Sequence, residues 1–500
     1  MLKALKRFKG GIHPPAMKRT ENLETVVMPI PTLVTIPMRQ HIGAECIPTV
    51  KKGDHVDVGQ VIGQSDAPLS VPIHASVSGR VEAVKPAPSA SGQHLLSVVI
   101  RADGKQTPWE GLKPVETEDP DQMIQAVRAS GLVGLGGAGF PTYFKLKPPP
   151  GDTFDVLLIN GAECEPYITS DFREMVENPM GVIHGVELVL KMTGIPRAII
   201  GVEDNKQQAI DRLIKAAEHN PQIDVMKLRT RYPQGGEKQL IYAATGRRIG
   251  PGKLPSSQGV LVLSINTVSG IAEYFQTGMP LVRRRVTIDG DAIREPKNVL
   301  VPIGIHLQDI FRFCGGFCAT PASVIMGGPM MGVAQFSPEN TILKQTNAVL
   351  VLTDKVVHRE QQDPCIRCGM CVDHCPMQLL PFQLNALVLH ERYDEAAKLN
   401  LMNCIECGCC SYVCPASRFL VQSFRFGKSA LRRQSNMTAL KENAEMALHA
   451  MAASAAQDRE RQSQESARQE PPAKQESPAR AEASQQEAPA KVPEKEAPKA

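Results

Sequence analysis

The chain has 500 residues, enough for several domains that each bury their own core. Its 56 Lys and Arg stand against 52 Asp and Glu, with a pI near 8.3, a balance that excludes a dedicated nucleic-acid binder. No apolar run reaches the roughly eighteen residues of a membrane helix, and no apolar core follows the basic start Met1–Lys9, which argues against a secretory signal and favours a solvated tail over contact with an anionic leaflet.

Residues 33–102 read as short strands cut by Gly and Pro, the pattern of an all-β sandwich or small barrel. The segments Val50–Ile62 and Pro72–Val81 resemble the two halves of a biotinyl/lipoyl-type hammerhead. Between them Gln64–Val71 lacks the hairpin lysine that would carry a prosthetic group, so a docking or structural role is expected.

A helix follows, with Asp119 as cap, Pro120 in the first turn, Met123, Ile124 and Val127 on one face, and Gly131 as stop. The loop Gly131–Thr142 then carries G-x-G-x-x-G at Gly134, Gly136 and Gly139. A helix rather than a strand precedes it, so it is not a dinucleotide fingerprint, yet its backbone N–H groups can cradle a phosphate. Strands at Asp155–Ile159, Ala198–Val202 and Ile223–Leu228 alternate with helices at Gly181–Met192 and Asn205–Ala217, which predicts a parallel α/β sheet. Asn160-Gly-Ala-Glu-Cys-Glu165 lies at the carboxyl end of the first strand, where such sheets bind ligands. Cys164 reads as a small buried side chain, and His184 as a packing or surface residue.

Arg284–Ile288, Asn298–Val301, the helix Leu307–Phe313 and Ala322–Met326 form a β-grasp-like pattern, with Cys314 and Cys318 expected in its core and a metal or disulfide role for the pair as the alternative. Two cysteine runs come next. Cys365, Cys368, Cys371 and Cys375 follow C-x2-C-x2-C-x3-C-P, and Cys404, Cys407, Cys410 and Cys414 repeat it. That repeat is the bacterial ferredoxin pattern for a pair of [4Fe–4S] clusters, in which the fourth cysteine of each run serves the other cluster. It assigns Cys365, Cys368, Cys371 and Cys414 to one cluster, and Cys404, Cys407, Cys410 and Cys375 to the other. Cys409 falls outside the phase. Zinc sites pair cysteines across a longer gap, and disulfides need an oxidising compartment that nothing here suggests. Leu379–Leu401 reads as an amphipathic helix with Leu384, Leu387 and Leu389 in the core. No aromatic residue follows Phe426; 430–456 is expected to be helical and 457–500 disordered.

Gly131–Thr142 with Lys145, Asn160–Pro166 and Tyr232–Gln239 resemble the FMN- and NADH-binding flavoprotein subunit of respiratory complex I. Gly11–Pro15, Gln40–Ala44, Ala162–Thr169, Glu203–Lys206, Ile325–Pro329 and both cysteine runs resemble more closely the C subunit of the bacterial Rnf (also called Rsx) electron-transport complex, over about residues 9–425. The resemblance implies a non-covalent FMN, NADH as substrate, and a handoff through two [4Fe–4S] clusters to other subunits of a membrane redox complex and a ferredoxin-like carrier. Gly134, Gly136, Gly137, Gly139 and Lys145 would hold the flavin phosphate and ribityl chain, Asn160 the flavin, and Asn266 the phosphate. Phe140 and Glu165 would meet nicotinamide and ribose, with Glu163 and Glu237 also among the cofactor-binding residues. Two acids of the complex I pattern are replaced, by Ala162 and Gly236, and those departures keep open an alternative: an iron–sulfur electron-transfer adaptor without flavin.

The expected fold is multidomain α/β and α+β. Its parts are a hammerhead-like β module (1–110), a parallel α/β flavin domain (111–275), a soluble ligand-binding β-grasp domain (276–345), a two-cluster ferredoxin-type helical domain (346–427) and a partly helical, then disordered tail (428–500). The expected setting is the cytoplasmic face of the bacterial inner membrane, peripheral, with no transmembrane helix, no nucleic acid and no side-chain acid or base in the hydride step.

Overall fold

Val156, Leu157, Leu158 and Ile159 are four consecutive side chains with no exposure at all, as a strand covered on both faces requires. In the computed structural model, which describes residues 2–3, 6–90, 92–357 and 361–468, that strand runs Val156–Gly161 inside an all-parallel sheet. The sheet order is Leu2–Lys3, Ile223–Leu228, Ala198–Glu203, Val156–Gly161, Val260–Ser264. The strands and helices expected of this α/β domain are all present. Between Val156–Gly161 and Val260–Ser264 the chain order reverses, and the carboxyl ends of those two strands form the crevice where open α/β sheets take ligands.

The helices Pro179–Thr193 and Ile265–Thr277 pack on this sheet at Gly185, where a Cβ would stand 1.9 Å from the Val268 carbonyl oxygen. The Pro120–Ala129 helix has Asp119 accepting from the Gln122 N–H and buries Met123, Ile124 and Val127 as its spacing predicts.

The N-terminus corrects the expectation of a solvated tail. Leu2–Lys3 pairs with Ile223–Leu228, Phe8 and Ile12 are buried, and the Gly11 N–H donates to the His374 carbonyl at 2.9 Å. The hammerhead-like module consists of a four-stranded sheet (Leu33–Pro37, His94–Ala102, Gly79–Pro88, His55–Val56) and a three-stranded one (Ile47–Pro48, Val61–Gln64, Ile73–His74). Val26–Val27 leaves it to join the β-grasp sheet beside Lys297–Pro302.

The β-grasp sheet also contains Ala348–Leu352, paired with both Arg283–Asp289 and Ser323–Met326, so the expected boundary at 345 falls one strand short. Cys314 is buried there, but Cys318 is exposed, its thiol turned to the Asp291 and Ile293 carbonyls. The helix expected over 379–401 is two, Pro381–Leu389 and Tyr393–Lys398, broken where Glu391 takes φ 57°. Leu384 and Leu387 are buried as expected; Leu389 is exposed because the break turns it outward.

By contacts the chain divides at Leu431. One helix, Leu420–Arg468, crosses that division; in the first unit it buries Leu420, Val421 and Phe424 against the cysteine region. In the second unit it continues to Arg468, past the expected end at 456, so 457–468 is helical rather than disordered, and 469–500 lie outside the described residues.

Lys344 ties three domains together. Its buried ammonium donates to the carbonyls of Pro72 at 2.8 Å and Gly131 at 2.7 Å. Burial disfavours its charged form and pulls its pKa from 10.5 down to about 7. Between those values the unfolded chain holds a proton that the native chain has released, so this group makes stability rise with pH across the interval. In Lys344→Met, chemical denaturation is expected to show a flatter pH dependence over that range, with a loss of about 1–3 kcal/mol at pH 9 from the two unpaired carbonyls. Gly185→Ala is expected to cost about 3 kcal/mol by overpacking the helix crossing, read as a lower denaturation midpoint.

Candidate cofactor cleft and cysteine centres

A cleft of about 810 Å3 opens at the carboxyl edge of the parallel sheet, walled by three domains and the second cysteine loop. The α/β domain contributes Gly136, Gly137, Ala138 and Glu165; Gln40 and His41 come from the hammerhead-like module, Gly328 and Gln345 from the β-grasp region, and Glu406 and Arg425 from the cysteine region. Gly137 has no heavy atom within 4 Å of a Cβ placed on it, and Gly136 only the Asn347 amide nitrogen at 3.7 Å. The chain itself does not fill the space in front of this loop. Gln40 Nε2 and Gln345 Oε1 are buried in the walls without a partner among the described residues. Exposed backbone at a glycine turn and unmatched polar atoms suit a flavin with its phosphate.

Of the residues singled out in the sequence, Gly136, Gly137 and Glu165 line this cleft. The others shape it from behind. The Gly134 N–H is taken by the Phe140 carbonyl at 2.8 Å, closing the loop on itself, and the Gly139 carbonyl accepts from the Ile42 N–H at 3.1 Å. Phe140 meets Phe144 edge to face at 5.8 Å. Lys145 pairs with Glu237 at 3.2 Å, so two expected ligands neutralise each other in this state. Asn160 donates to the Gly235 carbonyl at 2.9 Å and accepts from the Ala162 N–H at 3.1 Å, pinning the strand end to the Tyr232–Gly236 loop. Asn266 donates to the Asp171 carboxylate.

Glu163 is buried and accepts from the N–H groups of Asp171 at 2.7 Å and Phe172 at 3.3 Å, which caps the Ser170–Glu177 helix. Burial pushes its carboxyl pKa up, against the pull of Lys18 and Lys206. Lys18 is a residue that sequence reasoning passed over. Its ammonium donates to the carbonyls of Glu163 at 2.9 Å and Glu165 at 2.8 Å, and to that of Ile168, fixing the turn that presents Glu165. Only its place shortly after Gly11-Ile-His-Pro could have drawn attention to it.

The Glu165 carboxylate accepts from the N–H groups of Met330 at 3.1 Å and Met331 at 2.9 Å, and enclosure raises its pKa to about 7. The Tyr232 hydroxyl stands 3.4 Å from the same carboxylate and donates to the Cys407 carbonyl at 2.7 Å. Tyr232 lies in a motif singled out in the sequence but drew no task there; the structure makes it the link between cleft and cysteine loop. Cys164, beside it, has its thiol pushed toward the protonated form by burial.

The thiols form two groups that cross between the runs. Cys365, Cys368, Cys371 and Cys414 line one small cavity. Burial and then the neighbouring Cys414, Cys365 and Cys368 raise the Cys371 pKa. Cys410 is pushed up by burial and by Cys404, Cys407 and Cys375, and Cys404, by burial and then by neighbours including Cys407 and Cys375, to about 11. Thiols crowded enough to oppose one another's ionisation suit a polynuclear iron centre, whose positive charge reverses that cost. Among the described residues no three His, Cys, Asp or Glu side chains converge on a single-ion site. Cys409 is fully buried and hydrogen-bonds Cys407, and its thiol lies close enough to Cys407, Cys410 and Cys375 for each to disfavour its ionisation.

Four family models match the chain. Residues 6–105 match the RnfC barrel sandwich hybrid domain, 127–273 the Nuo51 FMN-binding domain, 285–334 the SLBB domain and 364–417 the 4Fe-4S dicluster domain. The chain is 45% identical to the C subunit of the Na(+)-translocating ferredoxin:NAD(+) oxidoreductase complex of Acetobacterium woodii, over 86% of this chain and 98% of that one. It is 42% identical to the C subunit of the proton-translocating ferredoxin:NAD(+) oxidoreductase complex of Clostridium ljungdahlii, over 86% and 94%. It is 39% identical to the C subunit of the ion-translocating oxidoreductase complex of Rhodobacter capsulatus, over 86% and 84%. With identity at this level along nearly the full length of such relatives, the chain belongs to the family of C subunits of ion-translocating oxidoreductase complexes.

Proposed function

We propose that this protein is the electron-entry subunit of an ion-translocating redox complex, passing electrons between NADH, FMN and two [4Fe–4S] clusters and onward to ferredoxin-type or membrane-subunit partners. The observation that carries the reading is the shared wall: one cleft is bounded by the glycine loop, by Glu165, by Glu406 of the second cysteine loop and by Arg425 of the helix that follows it. A flavin bound there supplies the exchange between two-electron hydride and one-electron transfer. The chain's own tasks are to seat it on Gly136 and Gly137, enclose it with Gln40 and Gln345, and hold the cysteine loop in register through Tyr232.

The site residues divide accordingly. Gly136, Gly137 and Glu165 face the cofactors; Gly134, Gly139, Phe140, Asn160, Glu163 and Asn266 hold the walls; Lys145 and Glu237 part to receive a phosphate. Cys404, Cys407, Cys410 and Cys375 hold the cluster next to the cleft, since Glu406 lies between two of these ligands. Cys365, Cys368, Cys371 and Cys414 hold the outer one, where Cys365 and Cys368 are exposed and suit a handoff to a partner. The domains follow the expected order with the β-grasp sheet extended to Leu352, and the protein sits peripherally on the cytoplasmic face of the bacterial inner membrane; among the described residues no helix is long and apolar enough to cross a membrane.

Three measurements test this reading. Anaerobically isolated protein is expected to contain FMN and about eight irons per chain, and to bleach on adding NADH; iron without flavin would leave the adaptor alternative. Gly137→Val places its side chain in open space, so the denaturation midpoint should hold while bound FMN falls at least tenfold. For the crossed ligand sets, Cys375→Ser should give the same EPR spectrum as Cys407→Ser, and Cys414→Ser the same as Cys368→Ser. The opposite matching would mean that each run closes its own cluster.

A further inference from the structure

A second cavity, of about 870 Å3, lies at the carboxyl end of the Ile223–Leu228 strand, lined by residues distinct from those of the cofactor cleft. Pairing of Leu2–Lys3 with that strand brings Lys6 and Arg7 to the same wall as Lys227, Arg229 and Arg231. Among these five cations and His13 the cavity holds one carboxylate, Asp204, whose Oδ1 is taken by the N–H of Thr230 at 3.0 Å and its hydroxyl at 2.7 Å. Among the described residues Lys6, Arg7, Arg229 and Arg231 form no ion pair, while Lys227 donates to Gln207 at 2.8 Å.

Two donors there are buried and without an acceptor among the described residues: Nε2 of Gln234, a side chain only 3% exposed, and Nε of Arg231. Each unmatched buried donor costs about 1–3 kcal/mol. An anion with several oxygens removes that cost and the mutual repulsion of the cations together. Arg231 is already oriented, its guanidinium 5.3 Å from the Phe8 ring centroid and bonded to the Phe8 carbonyl at 3.4 Å. The volume is that of a small-molecule site rather than of a single ion.

We propose that this cavity binds a multiply charged phosphate ligand, a pyrophosphate or phosphate ester presented either by a soluble nucleotide or by the headgroup of an anionic lipid. The proposal does not depend on the flavin, and its test reads binding rather than electron transfer. Full-length holoprotein is titrated calorimetrically with pyrophosphate, and separately sedimented with phosphatidylcholine vesicles with and without phosphatidylglycerol. Saturable pyrophosphate binding, weakened at least tenfold (about 1.4 kcal/mol) in the double variant Lys6→Ser/Arg229→Ser, supports the site with a soluble ligand. Co-sedimentation with the anionic vesicles alone, lost in the same variant, supports it with a lipid as source. Gln234→Leu keeps the charge and is expected to weaken the same binding through the buried donor. Arg312→Ser removes an exposed arginine of the β-grasp helix, outside this cavity, and as the surface-charge control should bind as the wild type does. Absence of saturable binding to both probes overturns the proposal, as does equal weakening in the double variant and the Arg312 control, which would reduce it to diffuse surface charge.

Discussion

One hydroxyl group fixes the spacing on which the rest relies. The Tyr232 phenol stands between the carboxylate that faces the cleft and the carbonyl of Cys407 in the second cysteine loop. Its backbone is paired with Ile12 in both directions, N–H to carbonyl at 2.8 and 3.0 Å, so the N-terminal segment clamps the same point. Electron transfer falls steeply with distance, and a floppy joint between flavin site and cysteine loop would spread that distance over a range. Burial, with Glu165 and Cys164 adding to it, pushes the phenol strongly toward its neutral form. A neutral donor tolerates changes of charge on either side without itself moving.

Around this joint the protein accepts buried charge to keep domains in register. Lys18, Glu163, Glu203, Lys206 and Asp171 lie in one enclosed region behind the cleft floor. Arg19 reaches from the same N-terminal segment to Asp289 of the β-grasp sheet, and Thr169 meets the hydroxyl of Thr20 and the amide of Asn298. Such networks add little net stability against an apolar alternative, yet they penalise every wrong arrangement, because a shifted domain strands an unpaired charge. In a protein that must hold three cofactors at set separations, that penalty serves function directly.

What could be read from the sequence was whatever repeats locally. The 2-2-3 cysteine spacing, the capped helix after Asp119 and the alternating strands of the α/β domain each declare themselves within a dozen residues. The short N-terminal strands were illegible because Leu2–Lys3 and Val26–Val27 have no period of their own and exist only through partners two hundred residues away or more. Leu389 looked like core because its spacing fits a continuous helix; the left-handed residue Glu391 that ends the helix carries no Gly or Pro signal. Asn160, Glu163 and Asn266 were singled out for touching cofactors. The structure shows them satisfied by backbone and side-chain partners, a distinction that residue type and order along the chain do not contain.

The Gly11 N–H bonds to the carbonyl of His374, and a Cβ on Gly10 would lie 2.5 Å from the Cys375 carbonyl oxygen. Gly10 and Gly11 therefore gain these contacts only from a segment more than three hundred and sixty residues further along the chain. Closing so long a loop is entropically cheap per added residue but slow to find. Leu2–Lys3 and Ile12 can settle on Ile223–Leu228 and Tyr232 once the α/β domain forms, whereas the contacts of Gly10 and Gly11 wait for the first cysteine loop. The folding of the first cysteine loop and the final seating of Gly10 and Gly11 thus fall at the same late moment of biogenesis.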